Sequence, residues 1–257
     1  MFDPGAILTE TEIRGPKRCY ILCTGNSLTY FPLSEIRPDD IVITVNATGS
    51  YYPGSTYHVI GDLKSFGKHK SNRGLPIIAG DRAPKMERYG YKEWYLISEL
   101  ISLPKFGGGH CALGLAYVLA ERVTTLKQVH YVGLDFSFYE RDGKEYYHAH
   151  VLREHSQLAQ RPVACPDTDH SSYTLKHQSE AGRYTKIYTG VSSHYGQQCR
   201  SAVKLARASP AFLAKLVCRS HFDLALADLT LPDAGFTKCS VSVPELLKRN
   251  KRYGTRR

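Results

Sequence analysis

Residues Phe106 to Phe136 read FGGGHCALGLAYVLAERVTTLKQVHYVGLDF, and the reading of this stretch decides the fold. Gly107, Gly108 and Gly109 open it as a glycine turn, an apolar helix follows, and QVHYVGLDF fits a buried strand. Glycines at a helix start leave several backbone N–H groups uncovered at the positive end of the helix dipole, a setting that suits a phosphate or carboxylate. The strand delivers Asp135 to its carboxyl end, where open α/β sheets bind their ligands. The expectation is an α/β protein with an anion-binding helix start beside a carboxylate.

Working towards the N-terminus, three further apolar runs end in polar turns. RCYILCT (Arg18 to Thr24) runs into Gly25-Asn26-Ser27, DIVITVN ends in Asn46, and YHVIGD ends in Gly61-Asp62. Each turn alone is ordinary punctuation. Their repetition at successive strand ends points to a shared ligand crevice. The spacing fits neither the dinucleotide fingerprint nor the P-loop. Leu75 to Ala79 reads as another short strand, and Lys85 to Leu103 as a helix or lid margin rather than core sheet. Residues Met1 to Lys17 read as a loose arm.

Working towards the C-terminus, Ser137 to Val191 is polar, aromatic and histidine-rich, with no sustained period; a long irregular segment in a compact domain reads as a lid. Ser192 to Val217 is helical, with Pro210 able to split it. Phe222 to Leu229 reads as a final strand, Val243 to Leu247 as the start of a last helix, and residues 248–257 as a mobile basic tail. The fold expected is a single α/β domain over residues 1–257: a Rossmann-like, mostly parallel twisted sheet flanked by helices, with residues 137–191 inserted as a lid.

The 257 residues carry a net charge of +10 and a pI near 9.2, a balance that favours polyanionic partners: nucleotides, nucleic acid or an anionic membrane surface. An ordinary basic protein is the alternative. The seven cysteines form no CxxC pair, which argues against a zinc ribbon. Met1 to Glu10 lacks the basic start and apolar run of a signal peptide, and no segment approaches about 18 apolar residues. These features lead us to expect a cytoplasmic protein, with peripheral contact at an anionic membrane through the basic tail as a further option.

The order of these motifs resembles the family 42 glycosyltransferases, bacterial sialyltransferases that use CMP-sialic acid. The likeness runs over roughly residues 18 to 235: Gly-Asn-Ser after the first strand, Asn after the second, the glycine turn before an apolar helix, Gly-Leu-Asp-Phe, and Ser193-His194-Tyr195-Gly196 opening a later helix. The 6-hydroxymethylpterin pyrophosphokinase-like proteins look like the same sheet with different chemistry. The resemblance implies that Gly25, Asn26 and Ser27 form the phosphate-side loop. It implies that Asn46 contacts the donor nucleotide, and that Gly133, Asp135 and Phe136 lie around its base. Tyr195 matches the tyrosine that hydrogen-bonds the leaving phosphate, and the segment 137–191 matches the family's lid. Two positions depart from the pattern. Gly107, Gly108, Gly109 and His110 stand where the family carries a Thr-Ser pair for the sialic acid carboxylate, and Gln198 stands where it carries its catalytic histidine.

Transfer from a nucleotide sugar requires stabilisation of the leaving phosphate, a base for the acceptor hydroxyl, and exclusion of water. Tyr195, Asn26 and the Gly107 to Gly109 amides are the candidate stabilisers. His194 is the nearest replacement for the missing base, since an unperturbed histidine titrates at about 6.5, beside His110 and Asp135. Asp135 can equally bind a ribose or cap its strand. No cofactor beyond the nucleotide-sugar substrate is expected. His148, His150, His155, Asp167, Asp169 and His170 are the residues from which a metal site would be drawn, but no HExxH pattern supports one. Arg141, Lys144, Arg153 and Arg161 interleave with Tyr139, Tyr146 and Tyr147, so a nucleic-acid acceptor stands beside a glycan acceptor. A nucleotide- or nucleic-acid-binding module without catalysis is the non-enzymatic alternative. The sequence leaves the oligomeric state open.

Overall fold

The computed structural model describes residues 15–61, 75–78, 94–101, 108–141, 144–146, 149, 152, 174–178, 184–188, 194–230 and 241–254. Seven strands form a parallel sheet: β1 (Arg18–Leu22), β2 (Ile41–Val45), β3 (Tyr57–Ile60), β4 (Leu75–Ile78), β5 (Tyr95–Leu96), β6 (Gln128–Val132) and, last in sequence, β11 (Leu216–Cys218). Their order is β11-β6-β1-β2-β3-β4-β5. From β1 the chain lays strands outward on one side, then returns to place β6 and β11 on the other. The sheet therefore reverses direction at β1, and the gap between β1 and β6 is its topological switch point. Parallel strands covered on both faces need continuous apolar runs. IVITV of β2 is buried at every position, and β1 and β6 are buried beyond their first residue.

The chain groups into two compact units, one built on residues 1–23, 36–130 and 208–217, the other on residues 24–35, 131–207 and 218–257. In the first, helix α3 (Gly108–Arg122) packs on β1, β2 and β3. Among the described residues two short helices precede it, α1 (Thr48–Tyr51) and α2 (Ile97–Leu100). Helix α5 (Pro210–Lys215) sits against α3 through the edge-to-face rings of Tyr117 and Phe212, 5.2 Å apart. Lys215 Nζ donates to the Ala120 carbonyl at 2.6 Å, placing a cation at the negative end of α3.

The second unit contains α4 (His194–Ala206) and α6 (Val243–Gly254). Proline does split the helical run: α5 starts on Pro210, with Ser209 as its cap accepting from the Phe212 N–H at 3.2 Å. A separate antiparallel sheet of order β8-β7-β10-β9 is formed by β7 (Ser137–Arg141), β8 (Lys144–Tyr146), β9 (Thr174–Gln178) and β10 (Tyr184–Tyr188). Part of the segment expected to be irregular is thus paired strand. The Asp142-Gly143 dipeptide between β7 and β8 is a two-residue hairpin signal that the absence of a long period concealed.

Three other expectations are corrected. Within the stretch expected to be a helix or lid margin, Ile97–Leu100 is helical, but Tyr95–Leu96 belongs to the main sheet, pairing with β4. Phe222 to Leu229 is not a strand. Asp223 accepts from the Ala225 N–H at 3.0 Å and Asp228 from the Thr230 N–H at 2.9 Å, and such carboxylate turns compete with strand pairing. The last strand among the described residues is Leu216–Cys218, which reads as the end of the preceding helix. Finally, residues 248–254 of the basic tail are helical, because Leu246, Asn250 and Tyr253 recur on one inward face of α6 while Lys248, Lys251 and Arg252 stay exposed.

Candidate functional site

The loops that follow β1 and β6 are locked to each other at the switch point. Gly25 N–H donates to the Gly133 carbonyl at 2.9 Å. Asp135, 2 % exposed, accepts from the Ser27 N–H at 2.8 Å, the Ser27 hydroxyl at 2.6 Å and the His221 N–H at 2.8 Å. Ser27 Oγ in turn accepts from the Gly133 N–H at 2.9 Å. One carboxylate therefore ties together the ends of β1 and β6 and the chain that follows β11. Glycine is obligatory at position 25: a Cβ there would lie 2.5 Å from both the Asp135 carboxylate and the Gly133 carbonyl. Gly133 itself has φ 72°, and Phe136 is a non-glycine residue at φ 46°. That strained backbone is held by the edge-to-face contact of Phe136 with Phe222, whose rings are 5.4 Å apart.

The inserted segment returns to this place. Ala149 is buried and donates its N–H to the Thr24 carbonyl at 2.7 Å, immediately before Gly25. Asn26 and Ser27 open a short 3-10 helix (Asn26–Tyr30) and are both buried. Asn26 Oδ1 has no hydrogen-bond partner among the described residues.

Beyond β11 the chain runs Arg219-Ser220-His221-Phe222-Asp223, all buried. The Ser220 hydroxyl donates to the Tyr131 carbonyl and accepts from the Leu134 N–H. Tyr131 OH donates to Asp223 at 3.3 Å and accepts from the Leu224 N–H at 3.0 Å. Burial, with Asp223 nearby, pushes the Cys218 thiol up to about 12, so it stays protonated and unreactive. His221 and its neighbours are not among the residues that the sequence pattern singles out. The available signal was a polar Arg-Ser-His run straight after an apolar triplet, the same strand-end grammar seen after β1 and β6.

The remaining expected site residues fall as follows. Asn46, at φ 49°, uses its side-chain oxygen to accept from the Gly61 N–H at 2.8 Å, joining the ends of β2 and β3. Gly108 begins α3, and a Cβ on it would meet Val45 at 2.8 Å and the Gly61 backbone at 3.3 Å. This glycine is thus accounted for by close packing of α3 on the sheet. Gly109 and His110 lie in the first turn of α3, while Gly107 lies outside the described residues. His194 and Tyr195 open α4. The candidate metal ligands His148, His150, His155, Asp167, Asp169 and His170 also lie outside the described residues.

His110 is 2 % exposed, and burial lowers its pKa from 6.5 to about 4. A base that weak is a poor acceptor for an acceptor-hydroxyl proton near neutrality. Its titration has a stability consequence. Between pH 6.5 and about 4 the unfolded chain binds the His110 proton and the native chain does not, so stability falls as pH is lowered through that window and is unaffected by this group above it. The loss by pH 4 is roughly 3 kcal/mol. Urea unfolding at several pH values should show His110→Gln losing a correspondingly smaller part of its stability than the wild type on acidification. Parallel pH profiles would show that His110 is not the group responsible.

No protein-family model, curated protein or solved structure matches the chain.

Proposed function

We propose that the protein is a nucleotide-sugar-dependent glycosyltransferase that holds its donor at the carboxyl ends of β1 and β6. One observation carries the reading: the loops at the topological switch point are rigidly joined through Asp135, while Asn26 keeps beside them a buried side-chain oxygen with no partner among the described residues. Open parallel sheets bind nucleotides at such a point. The order of strand-end motifs that resembles family 42 glycosyltransferases adds the reaction class. In this reading the acceptor hydroxyl oxygen attacks the anomeric carbon as the bond to the phosphate oxygen breaks, with inversion. The hydroxyl proton passes to His194, and Tyr195 donates a hydrogen bond to the departing phosphate. The inserted segment, tied at Ala149 to Thr24, serves as the cover that excludes water.

Calorimetric titration with CMP, UMP, GMP and their sugar conjugates should show saturable binding of one nucleotide. With the conjugate and acceptor identified, His194→Ala should lower kcat by about 10²- to 10⁴-fold while leaving nucleotide affinity within a few-fold. Failure of every nucleotide to bind sinks the proposal. A nucleic-acid acceptor is the second reading, favoured by the exposed cationic face of α6 formed by Lys248, Lys251 and Arg252. The same titration with DNA would then show affinity that drops steeply with salt.

A further inference from the structure

Nearly every polar group around the Asp135 carboxylate has a partner. The Ser27 N–H and hydroxyl, the His221 N–H, the Gly133 N–H and the Ser220 hydroxyl are all satisfied within the protein. Two buried atoms on the same cluster have none among the described residues: Asn26 Oδ1 and His221 Nε2. Both residues are at most 5 % exposed. They are bound into one structure, since Asn26 precedes Ser27 on the loop clamped by Asp135 and His221 is anchored to the same carboxylate through its backbone.

The His221 ring is fixed with unusual completeness for a residue whose second nitrogen is idle. Its Nδ1 lies 2.8 Å from the Val241 carbonyl, which can only accept, so Nδ1 carries the proton. The Val241 N–H returns a bond to the His221 carbonyl at 2.6 Å. Tyr30 stands edge-on to the ring, with centroids 6.3 Å apart. With Nδ1 committed as donor, the neutral ring offers Nε2 as a lone-pair acceptor, the arrangement by which proteins orient an imidazole toward a ligand. A buried acceptor left unmade carries its full desolvation penalty, which a phenylalanine at this position would avoid.

We infer that His221 is a ligand-reading residue, whose Nε2 accepts a hydrogen bond from a hydroxyl or amino group of the bound nucleotide, with Asn26 Oδ1 as its companion acceptor. This rests on the nucleotide-site reading above and adds to it a residue and a polarity. Two acceptors select a ligand that presents donors, either the ribose hydroxyls or an exocyclic base amine. Comparison of CMP with UMP isolates the amine, and comparison of CMP with its 2′-deoxy form isolates a ribose hydroxyl.

The test uses the full chain. In the wild type, the ¹⁵N resonance of His221 Nε2 is followed while the protein is saturated with whichever of CMP, UMP or GMP binds, and it should move with occupancy. His221→Phe should weaken that nucleotide by at least about tenfold, the loss of one buried hydrogen bond, while His221→Gln, which restores an acceptor, should recover most of the affinity. A merely structural histidine would change the melting temperature of the variants and leave both the wild-type Nε2 shift and the affinity unmoved, and that result overturns the inference. An Nε2 shift that ignores nucleotide also overturns it, whether or not His221→Phe folds. If no nucleotide binds the wild type, the site reading falls and His221's role falls with it, a result distinguishable from binding that is indifferent to His221.

Discussion

Replacing Arg219 with methionine should destabilise the protein by about 3–5 kcal/mol, the usual consequence of removing one member of a buried ion pair. Arg219 is fully buried and donates to Glu35 at 2.6 Å and to Asn250 at 2.6 Å, and its guanidinium lies 4.5 Å from the centre of the Tyr253 ring and 5.6 Å from that of Phe31. The Glu35 side chain is itself 4 % exposed. Without Arg219, that carboxylate loses its guanidinium partner and stays inside the protein. Asn250 also donates to the Tyr30 carbonyl, so α6 loses part of its attachment to the chain after β1. Urea unfolding should show a lower midpoint with an unchanged slope. Lysine should not rescue, because a point charge cannot reach a carboxylate and an amide in one planar fork. The double variant Arg219→Met with Glu35→Gln should recover a large part of the loss, since the dominant cost is a buried carboxylate deprived of its guanidinium. A single variant costing less than about 1 kcal/mol, within the range of an exposed pair, would show that this network does not hold the unit together.

The same network explains why part of the fold was legible in the sequence and part was not. β1, β2, β3 and β6 announce themselves because strands buried on both faces must be apolar throughout, and each ends in a residue type that turns the chain. The switch point was legible to the same degree: Gly25, Ser27, Gly133 and Asp135 are small or polar residues placed where an apolar run stops. What sequence pattern could not supply was pairing across long separations. Leu216–Cys218 has too few residues to carry a period, and it follows directly on a helix. Lys248 to Arg252 looks like a solvated tail until Arg219 and Asp223 are known to lie against it: Arg249 pairs with Asp223 at 2.9 Å, and Asn250 with Arg219. Gly108 carries a second constraint that pattern alone does not display: beyond the amide it offers at a helix start, the space a side chain would need is already taken by Val45 and Gly61.

Asp135→Ala should be the most damaging change at the candidate site, and its pattern separates two roles that the sequence left open. The variant strands the Ser27 N–H, the Ser27 hydroxyl and the His221 N–H inside the protein. Each buried donor left unmade costs about 1–3 kcal/mol, and because the three share one acceptor their losses do not simply add; a total on the order of 3–5 kcal/mol is expected. Asp135→Asn keeps the shape but turns one oxygen into an NH₂ group facing donors, so it should also destabilise, by about 1–3 kcal/mol. If Asp135 were a base presented to substrate, the asparagine variant would keep native stability and nucleotide affinity and lose only turnover. A clamp predicts the reverse coupling: melting temperature and nucleotide affinity fall together, since Asn26 and His221 both depend on it for their positions. Measuring the melting temperature and nucleotide Kd on the same asparagine preparation decides between them. Native values of both would remove Asp135 as the clamp and return it to the list of catalytic groups. The geometry favours the clamp, because both carboxylate oxygens are occupied by protein donors and Gly25 has given up its side chain to let the carboxylate approach.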